Sequence, residues 1–186
     1  MVIKGLIQTQ SDGSVRMMDF LDEQQTDRLY EKFILEYYRT HYPQLSANAS
    51  HISWQLDSEN DGKLPIMKTD IMLRQQNTIL IIDAKYYKHN MAVNFDKHSY
   101  ISGNLYQIFT YVKNKEYELK NEDHSVSGML LYAGTDEEIQ PDSEYVMSGN
   151  KISIKTLDLN QDFSIISHTL DAIVENCFEG ISKKLA

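Results

Sequence analysis

Apolar side chains recur along this chain in two rhythms, and the changes between them mark its elements. Across residues 22–39, Leu29, Phe33, Ile34, Tyr37 and Tyr38 recur at helical spacing, and Tyr42-Pro43 closes the run, so a helix is predicted there. Residues 51–56 and 64–74 read as strands, and 78–85 (TILIIDAK) is apolar on both faces, as in a strand covered on both sides. Gln75-Gln76-Asn77 joins the last two as a hairpin. Residues 2–9 suggest a further short strand, 46–50 a connector and 57–63 a polar loop. After another polar loop the pattern predicts a helix at 99–115, a strand at 126–133, and a hairpin of 144–147 with 151–157 around Ser148-Gly149-Asn150. A closing amphipathic helix follows at 164–184. The order α-β-β-β-α-β, with later strands and a helix, predicts an α/β domain with a mixed central sheet flanked by helices. With no internal repeat or boundary, residues 1–186 are expected to form a single domain, its core spanning roughly 20–160.

Composition narrows the functional classes. Apolar residues are 41% and charged residues 24% of 186, with eight Gly and three Pro, a balance that excludes collagen-like and broadly disordered chains. The formal charge of −9 argues against non-specific coating of nucleic acid, but not against an enzyme that meets DNA through a local site, a metal ion or a basic partner. Cys177 stands alone, so neither an intrachain disulfide nor a cysteine-rich zinc site is expected, and a reducing, cytoplasmic location fits. No apolar run approaches the roughly 18 residues of a membrane span, so no membrane partner is expected. The six histidines show no ligand spacing, and without a P-loop any nucleotide hydrolysis belongs to a partner.

Two aspartates sit where strands usually reject them: Asp70 inside LPIMKTDIML and Asp83 at the end of ILIID. Desolvating a carboxylate is expensive, so each needs a partner, a metal or a solvent-filled cleft. Lys85 is two residues beyond Asp83 and points to the same side of its strand. Neighbouring strands lie about 5 Å apart, so a hairpin in suitable register brings Asp70 beside Asp83. Two carboxylates and an ammonium suit metal-assisted hydrolysis of a phosphodiester. Mg²⁺ prefers oxygen ligands, with Mn²⁺ as a substitute, and the Ala84 carbonyl is a candidate further ligand. In this reading Lys85 orients or helps deprotonate the attacking water and stabilises phosphorane charge. The competing reading of Asp83-Ala84-Lys85 alone is a structural ion pair at a strand end.

Asp70…Asp83-Ala84-Lys85 resembles the PD-(D/E)XK nuclease signature, with Thr69 where that name has proline. LPIMKTDIML and IIDAKYY are similar, more narrowly, to the nuclease domain of the McrC family, the endonuclease subunits of McrBC-type modification-dependent restriction systems. Gln107-Ile108-Phe109-Thr110-Tyr111 resembles the Q-xxx-Y element of RecB-like and McrC nucleases, its two polar ends sharing a helix face. Glu31, in Leu29-Tyr30-Glu31-Lys32-Phe33, matches the first-helix glutamate of such sites. The resemblance covers roughly residues 20–160, with the motifs in the expected order. It implies a restriction-endonuclease-like core and a Mg²⁺-dependent deoxyribonuclease. Asp70 and Asp83 would bind metal with Ala84, Lys85 would serve the water, and Gln107 and Glu31 would support the site. It further implies modified double-stranded DNA as substrate, 5-methylcytosine among the modifications, and a McrB-like GTPase motor as partner. Cutting both strands takes two sites or two sequential cuts, which makes a dimer at cleavage an expectation. McrC-like proteins carry an N-terminal region that engages the motor, whereas about twenty residues precede the first helix here. The chain is therefore expected to be a shortened member or a nuclease-domain fragment, with motor binding left open.

Other residues carry weaker signals. Glu36 competes with Glu31, and a solvated helix face would explain either. Tyr111 reads as half core, half site. Tyr86, Tyr87 and Lys88 follow the Asp83 strand and have access to DNA, with packing the alternative. Lys68 and Arg74 share strand parity with Asp70 and are candidate phosphate contacts. Trp54 reads as core. Two rivals remain: a RecB-like exonuclease or repair nuclease on the same fold, and a catalytically idle assembly subunit.

Overall fold

The structure, a computed structural model, describes residues 23–59, 62–94 and 97–184. The strand predicted at 2–9 lies outside them. The first predicted helix is α1, Glu23–His41, closed by Tyr42 and a 3-10 turn at Pro43–Leu45. Two short strands, β1 (His51–Ile52) and β2 (Met67–Lys68), pair with each other. They precede β3 (Ile71–Gln75) and β4 (Thr78–Lys85), whose antiparallel hairpin was expected. After a small hairpin of β5 (Met91–Asn94) and β6 (Lys97–Tyr100) come α2 (Ser102–Glu118), β7 (Ser125–Ala133), β8 (Ser143–Met147), β9 (Asn150–Leu157) and α3 (Phe163–Cys177). The main sheet is mixed and five-stranded, in the order β3-β4-β7-β9-β8, with β4, β7 and β9 parallel and the outer strands antiparallel.

The double-sided apolar pattern of β4 is explained by two cores. Leu80, Ile82 and Ala84 face α1 and α3, where Ile34, Tyr38, Leu170 and Val174 pack. Ile79 and Ile81 face α2 through Ile108 and Val112. Each fully buried Leu or Ile contributes roughly 1.5–3 kcal/mol, so β4 is the strand around which the domain is organised. Its β7 neighbour carries Gly128, where an added Cβ would come within 2.8 Å of both Ile108 Cγ1 and Val112 Cγ2. That absence of a side chain lets α2 lie against the sheet. Gly128→Val is expected to lower stability by about 1–3 kcal/mol through overpacking. A urea midpoint equal to wild type would contradict this packing account.

Three expectations are corrected. The strand read at 64–74 breaks at Thr69-Asp70, because the Thr69 N–H and hydroxyl both bond the Ser50 carbonyl and draw the chain out of the main sheet. The strand read at 51–56 is only His51–Ile52, and half-buried Trp54 sits at the edge of the α2-side core, donating its ring N–H to Pro65 O at 2.7 Å. The last helix ends at Cys177, after which the chain turns back over α1: Lys184 N–H bonds His41 O, and Lys183 Nζ meets Asp171 Oδ2 at 2.8 Å. Among the described residues, no helix is long and apolar enough to cross a membrane.

Candidate active site

The site forms where the β3–β4 ladder stops. Pairing ends at Ile71↔Ile82, leaving the last residues of β4 without a backbone partner on that side. The Asp70 side chain takes over: its Oδ2 accepts the Ala84 N–H at 2.9 Å. In an extended strand the N–H and C=O of one residue project to the same side, so the Ala84 carbonyl faces this opening too. The interruption of the strand at Thr69-Asp70, which the sequence did not reveal, therefore leaves the Asp70 carboxylate free to bond the end of β4.

Asp83 and Lys85 project together toward α2. Asp83 is 1% exposed, and Lys85 Nζ lies 2.8 Å from its Oδ2. The Lys85 ammonium is the ion partner of this buried carboxylate, and no other donor satisfies either of its oxygens. Lys85 Nζ donates instead to Gln107 Oε1 at 3.2 Å, and Gln107 Nε2 donates to Tyr111 OH at 3.0 Å. The predicted pair one helical turn apart thus forms one chain of contacts from α2 to the β4 ammonium.

The charges are strained. Burial pushes the Asp83 carboxyl up to about 7, with the Asp70 charge adding to the rise and Lys85 opposing it. Asp70 is also raised, again chiefly by burial, against the pull of Lys85 and the Ala84 N–H. For Lys85, burial works against the ammonium, but the charge and contact of Asp83 outweigh it and its pKa lies above the ordinary lysine value. At neutral pH Lys85 is a cation.

Glu31 reaches the same region from α1. It lines a groove of about 410 Å³ with Lys68, Thr69 and Asp70, and burial followed by the Asp70 charge raises its carboxyl to about 7. Its competitor Glu36 lines the groove as well, but is tied to Arg39 at 2.8 Å. Arg74 is remote, bonding Gln76 O and Asn77 Oδ1 at the hairpin turn. Tyr86 packs edge-on to Tyr30, and Lys88 is exposed. Tyr87 donates to Asn104 Oδ1 at 3.3 Å, and Asn104 in turn donates to Tyr132 OH at 2.9 Å. Buried Asn104 and Tyr132, the latter opposite Lys85 in the β4–β7 register, were missed by sequence reasoning. The available signal was spacing, since Asn104 precedes Gln107 by three and shares its helix face.

The donor set fits a hard divalent cation. Two carboxylates and one carbonyl lie at this end of β4, and the buried Asp83 oxygens have only the Lys85 ammonium beside them, which leaves lone pairs that a bound cation would engage. Among the described residues no three of His, Cys, Asp and Glu gather around one point, so water would complete any such coordination.

The family described as McrBC 5-methylcytosine restriction system component matches residues 1–133. A curated Escherichia coli K12 protein, the type IV methyl-directed restriction enzyme EcoKMcrBC, is 31% identical over 174 residues, 91% of this chain. The chain spans about half, 48%, of that relative's length.

Proposed function

Because the chain belongs to the McrBC 5-methylcytosine restriction system component family, as a restriction subunit of the McrC type, we propose that it is a metal-dependent DNA endonuclease with a PD-(D/E)XK core. The observation that carries this reading is the buried Asp83 carboxylate, in electrostatic contact with Asp70 and satisfied by no donor other than the Lys85 ammonium. A helix before the β3–β4 hairpin and the α2 crossover between parallel β4 and β7 accord with such a core.

Asp70, Asp83 and the Ala84 carbonyl would hold Mg²⁺ or Mn²⁺. When bound, the cation supplies Lewis acidity at the scissile phosphate and acidifies a coordinated water. The remaining work belongs to the chain. Lys85, held charged beside Asp83, stabilises the negative charge that builds on the phosphorane, which favours an electrostatic role over that of a base. Gln107 fixes the ammonium through Oε1 and is itself fixed by Tyr111, so the cation is positioned before substrate arrives. Glu31, with its carboxyl near 7, stands where it can exchange a proton with water at the Asp70 end. Recognition of modified DNA and supply of force would fall to a McrB-like GTPase, and double-strand cutting to two such sites.

The test uses covalently closed circular and end-labelled linear DNA, methylated and unmethylated, with Mg²⁺ or Mn²⁺ and with or without a McrB-like partner and GTP. Wild type is expected to open the closed circle only with metal, and Asp70→Asn is expected to lose this cutting. Degradation confined to linear ends would replace the endonuclease with an exonuclease. Absence of both cutting and saturable metal binding would leave an assembly subunit.

A further inference from the structure

Three cations that make no direct ion pair border the path to Asp70. The groove between α1 and the β2–β3 corner has Arg28 and Lys32 on one wall and Lys68 on the other, and ends at Asp70. Arg28 and Lys32 are one helical turn apart and share an exposed face of α1. Lys68, exposed on β2, is close enough to pull the carboxyls of both Glu31 and Asp70 downward. Among the described residues none of the three makes an ion pair. Arg39, further along the groove, is neutralised by Glu36, and Lys113, Lys115, Lys151, Lys155 and Lys183 each contact a carboxylate.

Glu31, Glu36 and Asp70 line the groove too, but Glu36 is tied to Arg39, so Arg28, Lys32 and Lys68 still repel one another across the two walls without a directly paired carboxylate, in a chain of net charge −9. An anion seated between the walls relieves that repulsion. The cations lie along the groove rather than around a point, which suits a series of phosphates better than a single one. From Arg28 to Lys32 the helix rises about 6 Å, so these two long side chains can reach neighbouring phosphates of one strand.

We propose that this groove carries the sugar-phosphate backbone of the DNA strand entering the Asp70–Asp83 site, with Arg28, Lys32 and Lys68 each neutralising a phosphate. The proposal rests on the nuclease reading of the site and adds to it the route of the substrate. Such contacts fix register without reading sequence, in keeping with recognition of the modification elsewhere.

The test is binding of a fluorescent duplex of about 30 bp, followed by anisotropy in EDTA across a salt series, where each neutralised phosphate contributes a slope of about 0.9 in log K against log salt. The triple variant Arg28→Gln, Lys32→Gln, Lys68→Gln is expected to reduce the slope by two to three units, and each single variant by roughly one. Asp83→Asn should keep the wild-type slope while losing cleavage. Lys120→Gln, whose ammonium instead covers the Tyr117 ring at 3.7 Å, should change neither. These side chains are exposed, so the single variants should unfold at the wild-type urea midpoint and remain usable if the triple variant does not fold. A triple or full set of singles with unchanged slope would overturn the backbone track and leave the nuclease reading intact. Failure of wild type to bind duplex at the lowest salt would also overturn the track, and the nuclease reading would then be decided by the circular-DNA assay.

Discussion

Without divalent metal, the folded chain is expected to lose stability as pH rises from about 4 to about 7, with Asp83 alone accounting for on the order of 4 kcal/mol. The sign follows from proton counting. Unfolded, an aspartate titrates near 3.9, whereas the folded Asp83 holds its proton up to about 7. Between these values the native state binds the extra proton, so unfolding becomes easier with each rise in pH, by just over 1 kcal/mol per unit for one proton. The contribution is complete below the unfolded value and has gone once pH passes the folded one. Asp70 and Glu31, both raised, act in the same direction, Glu31 more weakly because solvent screens it. Carboxyls held low, such as Asp171 bonded to Lys183, Tyr37 and Tyr42, act in the opposite sense but at more acidic pH.

Urea midpoints in EDTA between pH about 4.5 and about 7.5 read this directly, and Asp83→Asn should flatten the slope by about one proton. Magnesium should oppose the loss where the carboxyls are ionised, since a ligand at a hundred times its Kd stabilises by about 2.7 kcal/mol. A wild-type midpoint that climbs over this range in parallel with the variant would show that Asp83 is an ordinary, paired carboxylate.

The sequence carried β4 to its last residue because a run that is apolar on both faces and polar at both ends has few other readings. It carried the parity of Asp83 with Lys85, and the reach of Gln107 to Tyr111, because strand and helix periods fix those relations locally. The break before β3 was illegible: alternation continues through Thr69-Asp70, and only the pull of Ser50, nineteen residues earlier, diverts the chain. The β5–β6 hairpin was taken as loop because two four-residue strands are too short to establish a period. Arg28 and Lys32 carry no signal of their own in the sequence, since the opposing wall of the groove comes from a distant strand. What the chain encodes locally was readable, and the approach of Asp70 to Asp83 followed from their hairpin; the detour through Ser50 and the groove wall at Lys68 depend on segments far apart in sequence.

Lys85→Met is expected to lower metal-dependent cleavage by about 10²–10⁴-fold while leaving the protein folded and able to bind metal. Methionine preserves the length and apolar stem of the side chain, so packing against α2 changes little. What disappears is the ammonium 2.8 Å from Asp83 and 3.2 Å from Gln107. Removing one member of a buried ion pair ordinarily costs about 3–5 kcal/mol, but Asp83 can escape that penalty by protonating, which its raised pKa already favours. With metal present, the cation replaces the missing charge. Stability near pH 5 should therefore fall little, whereas turnover should fall sharply at saturating metal and DNA. Lys85→Arg separates the two roles open to the side chain. A charge-stabilising lysine is partly rescued by guanidinium, whereas a water-activating base is not, because arginine does not deprotonate. The raised pKa of Lys85 favours partial rescue. Gln107→Ala, which removes only the group that steadies the ammonium, should cost about 10-fold in kcat. Single-turnover rates on closed circular DNA for the four proteins provide the check. Wild-type rates in Lys85→Met would remove the ammonium from the chemistry and return Asp83-Ala84-Lys85 to a structural ion pair.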